Sequence, residues 1–211
     1  MAARCGEGTH LTNDVVPPAW AERLLRLLLA PADREIVSGD LLEAYRDDVH
    51  PSRGRRRADL WYIRQVAWFA WRAAWVWGAL LAAAVIGRNV LDRLSPTTEF
   101  YARSLVSTYA AIGIFASAGL MAAWRTHSVV AGTLTGALTG VLAAVIVEVA
   151  SLGQLAVWHD PHTLAMIDAS GGLSEMFFLP LIVIVPGTMC ATIGALLGRG
   201  LAWSTRSRVS E

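Results

Sequence analysis

Residues 129–152 read VVAGTLTGALTGVLAAVIVEVASL, and a single charge, Glu148, interrupts them. As a helix the stretch is about 36 Å long, enough to cross a hydrocarbon core of about 30 Å. Its length and near lack of charge decide that it is a membrane-spanning helix. Gly132, Gly136 and Gly140 fall four apart, on one helical face, where a bare backbone lets another helix approach closely.

Three other segments share this character. Residues 69–90, 104–124 and 176–198 each offer about 20 predominantly apolar residues, as a span requires. Arg72 is close enough to the start of the first to extend its head group to the interface. Pro180 and Pro186 interrupt the last. Composition agrees: 55% of the 211 residues are hydrophobic and mean hydropathy is +0.44. Only 17% are charged, against about 25% in soluble domains. The expected fold is all-α and polytopic: an N-terminal helical hairpin followed by a four-helix transmembrane bundle. The expected division is a disordered lead at 1–16, a helical prefix at 17–65, a transmembrane domain at 66–200 and a tail at 201–211.

All 18 basic residues are arginine, and their placement predicts orientation. Nine flank the ends of the spans nearest the prefix and the tail, and three lie between spans one and two. Positive charge stays on the cytoplasmic side, so the prefix and both termini are expected there. The run Arg53-Gly54-Arg55-Arg56-Arg57 borders the first span, which accounts for it without nucleic acid. Seven aromatics between Trp61 and Trp77 suit the headgroup level, where an indole has one wet edge. The N-terminus lacks a basic region followed by an apolar one, so no cleavable signal peptide is expected. Cys5 and Cys190 form neither a disulfide framework nor a metal-type pair.

The prefix is soluble in character. Pro17-Pro18 suits a helix start, and Trp20, Leu24, Leu25, Leu28 and Leu29 form one apolar face. Pro31 ends that helix and Asp33 is the expected N-cap of the next. In REIVSGDLLEAYRDD, residues 34–48, the line Val37, Leu41, Tyr45 continues to Val49, while Asp40, Glu43, Asp47 and Asp48 occupy the polar side. His50-Pro51-Ser52 is expected to break the helix. A hairpin of about 30 residues is too small to stand alone. It must rest on the helix that follows, on the membrane surface or on a partner.

The intramembrane features divide between packing and transport. The stripe Gly132, Gly136, Gly140 is expected to pack within the chain, with a homodimer seam through span three as the alternative. Thr135 and Thr139 are expected to add hydrogen bonds between helices. Gly187 and Gly194, with Ala191 and Gly198, make span four the mate of span three. Pro180 and Pro186 kink a helix or free carbonyls for a solute. Glu148 is the one acid well inside a span, either paired with Arg88 at the outer boundary or serving as an ionisable site. His159-Asp160-Pro161-His162 is at most half of a metal site. No metal or other cofactor is expected. Lysine is absent, which excludes a Walker A loop, and HExxH, GxSxG and paired intramembrane aspartates are missing. Enzymatic activity is not expected.

The prefix resembles the permease prefix domain (type 2), a short module ahead of bacterial ABC-transporter permeases of the MacB/FtsX-like kind. The resemblance rests on PP-x-W-A-x-x-L-L from Pro17, on R-E-x-x-x-G-D-L-x-E-x-Y from Arg34 to Tyr45, and on R-R-R…W-Y-x-R-Q from Arg55 to Gln65. The same helix is similar to small cytosolic domains of membrane proteins encoded beside PadR-type regulators. The likeness covers about residues 15–70. The large extracytoplasmic domain of such permeases has no counterpart, because only Leu91 to Arg103 separate spans one and two. The resemblance therefore implies a transporter-associated or regulatory component of a bacterial inner membrane. Lipid is one expected contact, and the acidic face, Asp40, Glu43, Asp47 and Asp48, is expected to meet a basic surface of a protein partner, a transporter subunit or a cytosolic regulator. A small transporter with a solute path between spans three and four is the alternative.

Overall fold

The computed structural model describes residues 15–95, 100–157 and 172–207, and every described element is a helix. The loop carrying His159, Asp160 and His162 lies outside the described residues, as do Cys5, residues 1–14 of the lead, and the tail beyond Ser207.

The hairpin consists of α1 (Ala19–Leu28) and α2 (Pro31–Glu43), and α2 runs through a π turn (Ala44–Val49) into α3 (His50–Arg53). Two sequence expectations are corrected here. Helix α2 begins on Pro31 rather than after Asp33, because an N-terminal proline needs no hydrogen-bond acceptor for its nitrogen. Helix also continues past His50-Pro51. In the wider π turn the His50 N–H reaches the Tyr45 carbonyl, which shifts the carbonyls that the Pro51 ring would otherwise meet. The actual break is Gly54, at φ 74°, a left-handed conformation that glycine adopts without penalty.

From Gly54 a single helix, α4 (Arg55–Leu94), continues for 40 residues. That is about 60 Å, twice the hydrocarbon thickness, so half of α4 projects beyond the bundle. The hairpin packs on this projecting half. Ala21 and Leu25 from α1, Leu29 just after it, and Tyr45 and Val49 from the π turn enclose Ala58, Tyr62 and Val66 of α4. Burying each larger side chain contributes roughly 1.5–3 kcal/mol. The support that the small hairpin requires is therefore the helix that follows it.

The bundle adds α5 (Phe100–Thr126), α6 (Val129–Val157), and a fourth span in two pieces, α7 (Gly172–Ile182) and α8 (Ile184–Ser207), that meet at Val183. Its core holds Leu81 and Ala82 of α4, Phe115 of α5, Ala143 and Val147 of α6 and Ala191 of α8. Large apolar side chains are left outside: Val106, Val149, Ile193 and Leu197 are all more than 60% exposed. Water would penalise an apolar surface this extensive, whereas hydrocarbon covers it. Four helices are long and apolar enough to cross a membrane, and the chain is an all-α multi-pass membrane protein.

The small residues set the helix spacing, with a division of labour that differs from the expected one. Gly132 and Gly136 of α6 lie against Ala195 and Ala191 of α8, whereas Gly140 touches Ile184 and the Phe115 ring. Gly187 and Gly194 do not face span three. They lie against Phe115 and Ala116 of α5, and Gly198 lies against Leu120. The fourth span packs in the groove between spans two and three, its glycines toward span two and Ala191 and Ala195 toward span three, while spans two and three meet directly where Gly132 touches Gly119 and Ala123.

Candidate functional site

The acidic face of α2 is the first candidate. The hairpin core orients it. A line of residues spaced by four drifts about 40° per step around an α-helix, so Val37, Leu41, Tyr45 and Val49 would wind off the α4 surface. The π turn holds more residues per turn and brings Tyr45 and Val49 back against α4, where both are buried. The Tyr45 hydroxyl donates a 2.6 Å hydrogen bond to Asp59 Oδ1, and its ring meets Tyr62 edge-on, 5.9 Å between centroids. Burial, followed by the hydrogen bond and charge of Asp59, pushes the Tyr45 hydroxyl up to about 12.

With that side fixed, Asp40, Glu43, Asp47 and Asp48 are all exposed. None of the four carboxylates has an ion-pair partner among the described residues. Ile36, 66% exposed, extends the strip one turn ahead of Asp40. The result is a rigid, unneutralised acidic ridge with an apolar end. Sequence spacing located the four acids; Asp59, which anchors the ridge through Tyr45, carried no sequence signal.

Glu148 is the second candidate. Its Oε1 is buried without a hydrogen-bond partner, and so is Nε of Arg88 as a hydrogen-bond donor. The expected Arg88–Glu148 ion pair is absent among the described residues. Arg88 instead faces Asp92, 3.5 Å away one turn along α4, and reaches Ser107 Oγ at 3.4 Å. Asp92 is held in turn by Arg103 at 2.9 Å. Asp92, one turn along the same helix, takes the ion pair with Arg88 without a crossing between helices, and Glu148 Oε1 stays without a hydrogen-bond partner on α6.

The threonines are also redistributed. Thr135 donates to the Ala131 carbonyl of its own helix, and Thr139 Oγ1 is buried without a partner. The threonine pair that bonds between helices is Thr133 and Thr192, 3.1 Å apart. The close contact at Gly119, whose face lies on the Ala191 backbone, was also missed. Ala116, Gly119 and Ala123 form a small-residue stripe on α5 that could have revealed it.

Fold and sites together define a multi-pass helical membrane protein with an acidic hairpin mounted on its first span. No family model matches the chain, and neither a curated protein nor a solved structure is similar to it at a significant level.

Proposed function

We propose that the protein is a transporter-associated or regulatory membrane component whose hairpin presents Asp40, Glu43, Asp47 and Asp48 to a partner with a basic surface. The observation that carries this reading is the unpaired acidic ridge, exposed on one side and locked on the other by Tyr45, Asp59 and α4. Carboxylates in that state are available for charge-assisted hydrogen bonds to arginine or lysine. The short-motif resemblance of the prefix to permease prefix domains supports the same assignment, as well as a bacterial inner membrane. The arginine distribution supports a cytoplasmic hairpin.

The test is charge reversal. Asp40→Arg with Glu43→Arg, in full-length protein purified in mild detergent, is expected to lose the co-purifying partner while membrane insertion is retained. Unchanged recovery of the partner sinks the proposal. A second reading, a small transporter, is favoured by Glu148 Oε1, buried and unpartnered, and by the discontinuity at Val183 between Pro180 and Pro186. It predicts a solute-flux phenotype lost in Glu148→Gln yet indifferent to the hairpin reversal.

A further inference from the structure

The turn between α1 and α2 meets the turn between α5 and α6, and an open cleft of about 520 Å³ lies between them. Arg23, Arg26, Arg34, Thr126, His127 and Ser128 line it. Arg34 builds the junction, donating to the Leu29 carbonyl at 3.2 Å and to the Thr126 carbonyl at 3.0 Å. Both acceptors are neutral, so the guanidinium charge stays uncompensated. Arg23 has neither an ion pair nor a hydrogen bond among the described residues. Arg26 is held by Glu22 at 2.9 Å, a surface pair that is easily exchanged. The cleft is therefore electropositive and retains unused guanidinium donors.

His127 lines it with φ 56°. A left-handed conformation is unfavourable for a residue with a Cβ, and here it turns the chain so that the imidazole lines this cleft and a second one. That second cleft is lined by Arg199 and Trp203. Trp124 at the end of α5 is 45% exposed, and Trp203 on α8 is 81% exposed. Exposed indoles at the ends of spans mark the headgroup level of a bilayer. The arginine cleft thus opens where lipid phosphates lie.

We propose that this cleft binds a phosphate-bearing anion, and that its level in the membrane makes the headgroup of an anionic phospholipid the source. Guanidinium groups match phosphate oxygens in paired hydrogen bonds, and basic pockets beside transmembrane helices hold acidic headgroups in this way. A bound headgroup would bridge the hairpin to the bundle, next to the direct Arg34–Thr126 contact.

Native mass spectrometry of the full chain in neutral detergent tests this, with phosphatidylglycerol, phosphatidylcholine or inorganic phosphate titrated separately. Phosphatidylglycerol is expected to be retained in preference to phosphatidylcholine. Arg23→Gln with Arg26→Gln, which leaves the Arg34 junction intact, is expected to weaken that retention by roughly tenfold or more. Arg56→Gln with Arg57→Gln removes the same charge from exposed positions on α4 outside the cleft and should leave retention unchanged. Saturation by inorganic phosphate at millimolar concentration, without a lipid preference, would retain the phosphate site and overturn the lipid source. Equal retention of both lipids with no phosphate binding, or equal losses in both double variants, would overturn the site itself.

Discussion

Tyr45 has no exposed surface, yet it sits on a hairpin that otherwise offers few large side chains to a core. Its hydroxyl is shifted from an ordinary value near 10 to about 12, chiefly by burial, then by the hydrogen bond to and charge of Asp59, with Arg55 opposing. The folded hairpin therefore keeps this proton at a pH where the unfolded chain has lost it. The stability so supplied is whole below pH 10 and disappears as pH rises through about 12. Tyr45→Phe keeps the ring and removes the bond, so it should cost about 1 kcal/mol at neutral pH. It should also lose part of the alkaline decline. Thermal unfolding of the full chain followed by circular dichroism between pH 8 and 12 checks both effects, and an identical decline in the variant refutes the assignment. At the same scale Glu148 shows how far spacing reaches. Its depth in the span was readable, but its lack of a partner was not, because Arg88 had an acid one turn away on its own helix.

Between elements, the bundle is organised by small residues rather than by large ones. A Cβ placed on Gly194 would collide with the Ala116 backbone, whereas one on Gly113 of α5 meets nothing within 4 Å. Gly194→Ala should therefore force α8 away from α5 and cost about 1–3 kcal/mol, while Gly113→Ala should be neutral or slightly stabilising. Melting temperatures of the two variants in one detergent separate these outcomes; equal shifts contradict the packing. The stripes themselves were plain in the sequence, as glycines and alanines at spacings of three and four. Which helix each stripe meets was not, since a bare face accepts any neighbour. Phe115 makes the choice for Gly140 and Gly187, because its ring fills the space that both leave open. The π turn is a similar case. The line Val37, Leu41, Tyr45, Val49 was legible, but the local widening that keeps it on one side arises only when α4 supplies the surface.

On the scale of the molecule, α4 is a continuous lever that carries the hairpin core at one end and the bundle core at the other. An even number of spans puts the hairpin and the end of α8 on one side of the membrane, and the orientation proposed from the arginines makes that side the cytoplasm. A C-terminal alkaline phosphatase fusion is expected to be inactive and a C-terminal fluorescent protein fusion bright; the reverse pattern would invert the orientation. Composition and periodicity alone determined that this chain is helical, that it crosses a membrane four times and that a soluble acidic helix precedes the first span. They could do so because hydrocarbon thickness and helical pitch leave few solutions for long uncharged runs. Tertiary structure alone decided that the hairpin rests on α4, that the fourth span packs against both the second and the third, and that Arg34 meets the Thr126 carbonyl 92 residues away. Those choices depend on steric fit and on unpaired donors and acceptors finding one another in space, and neither leaves a local pattern in the chain.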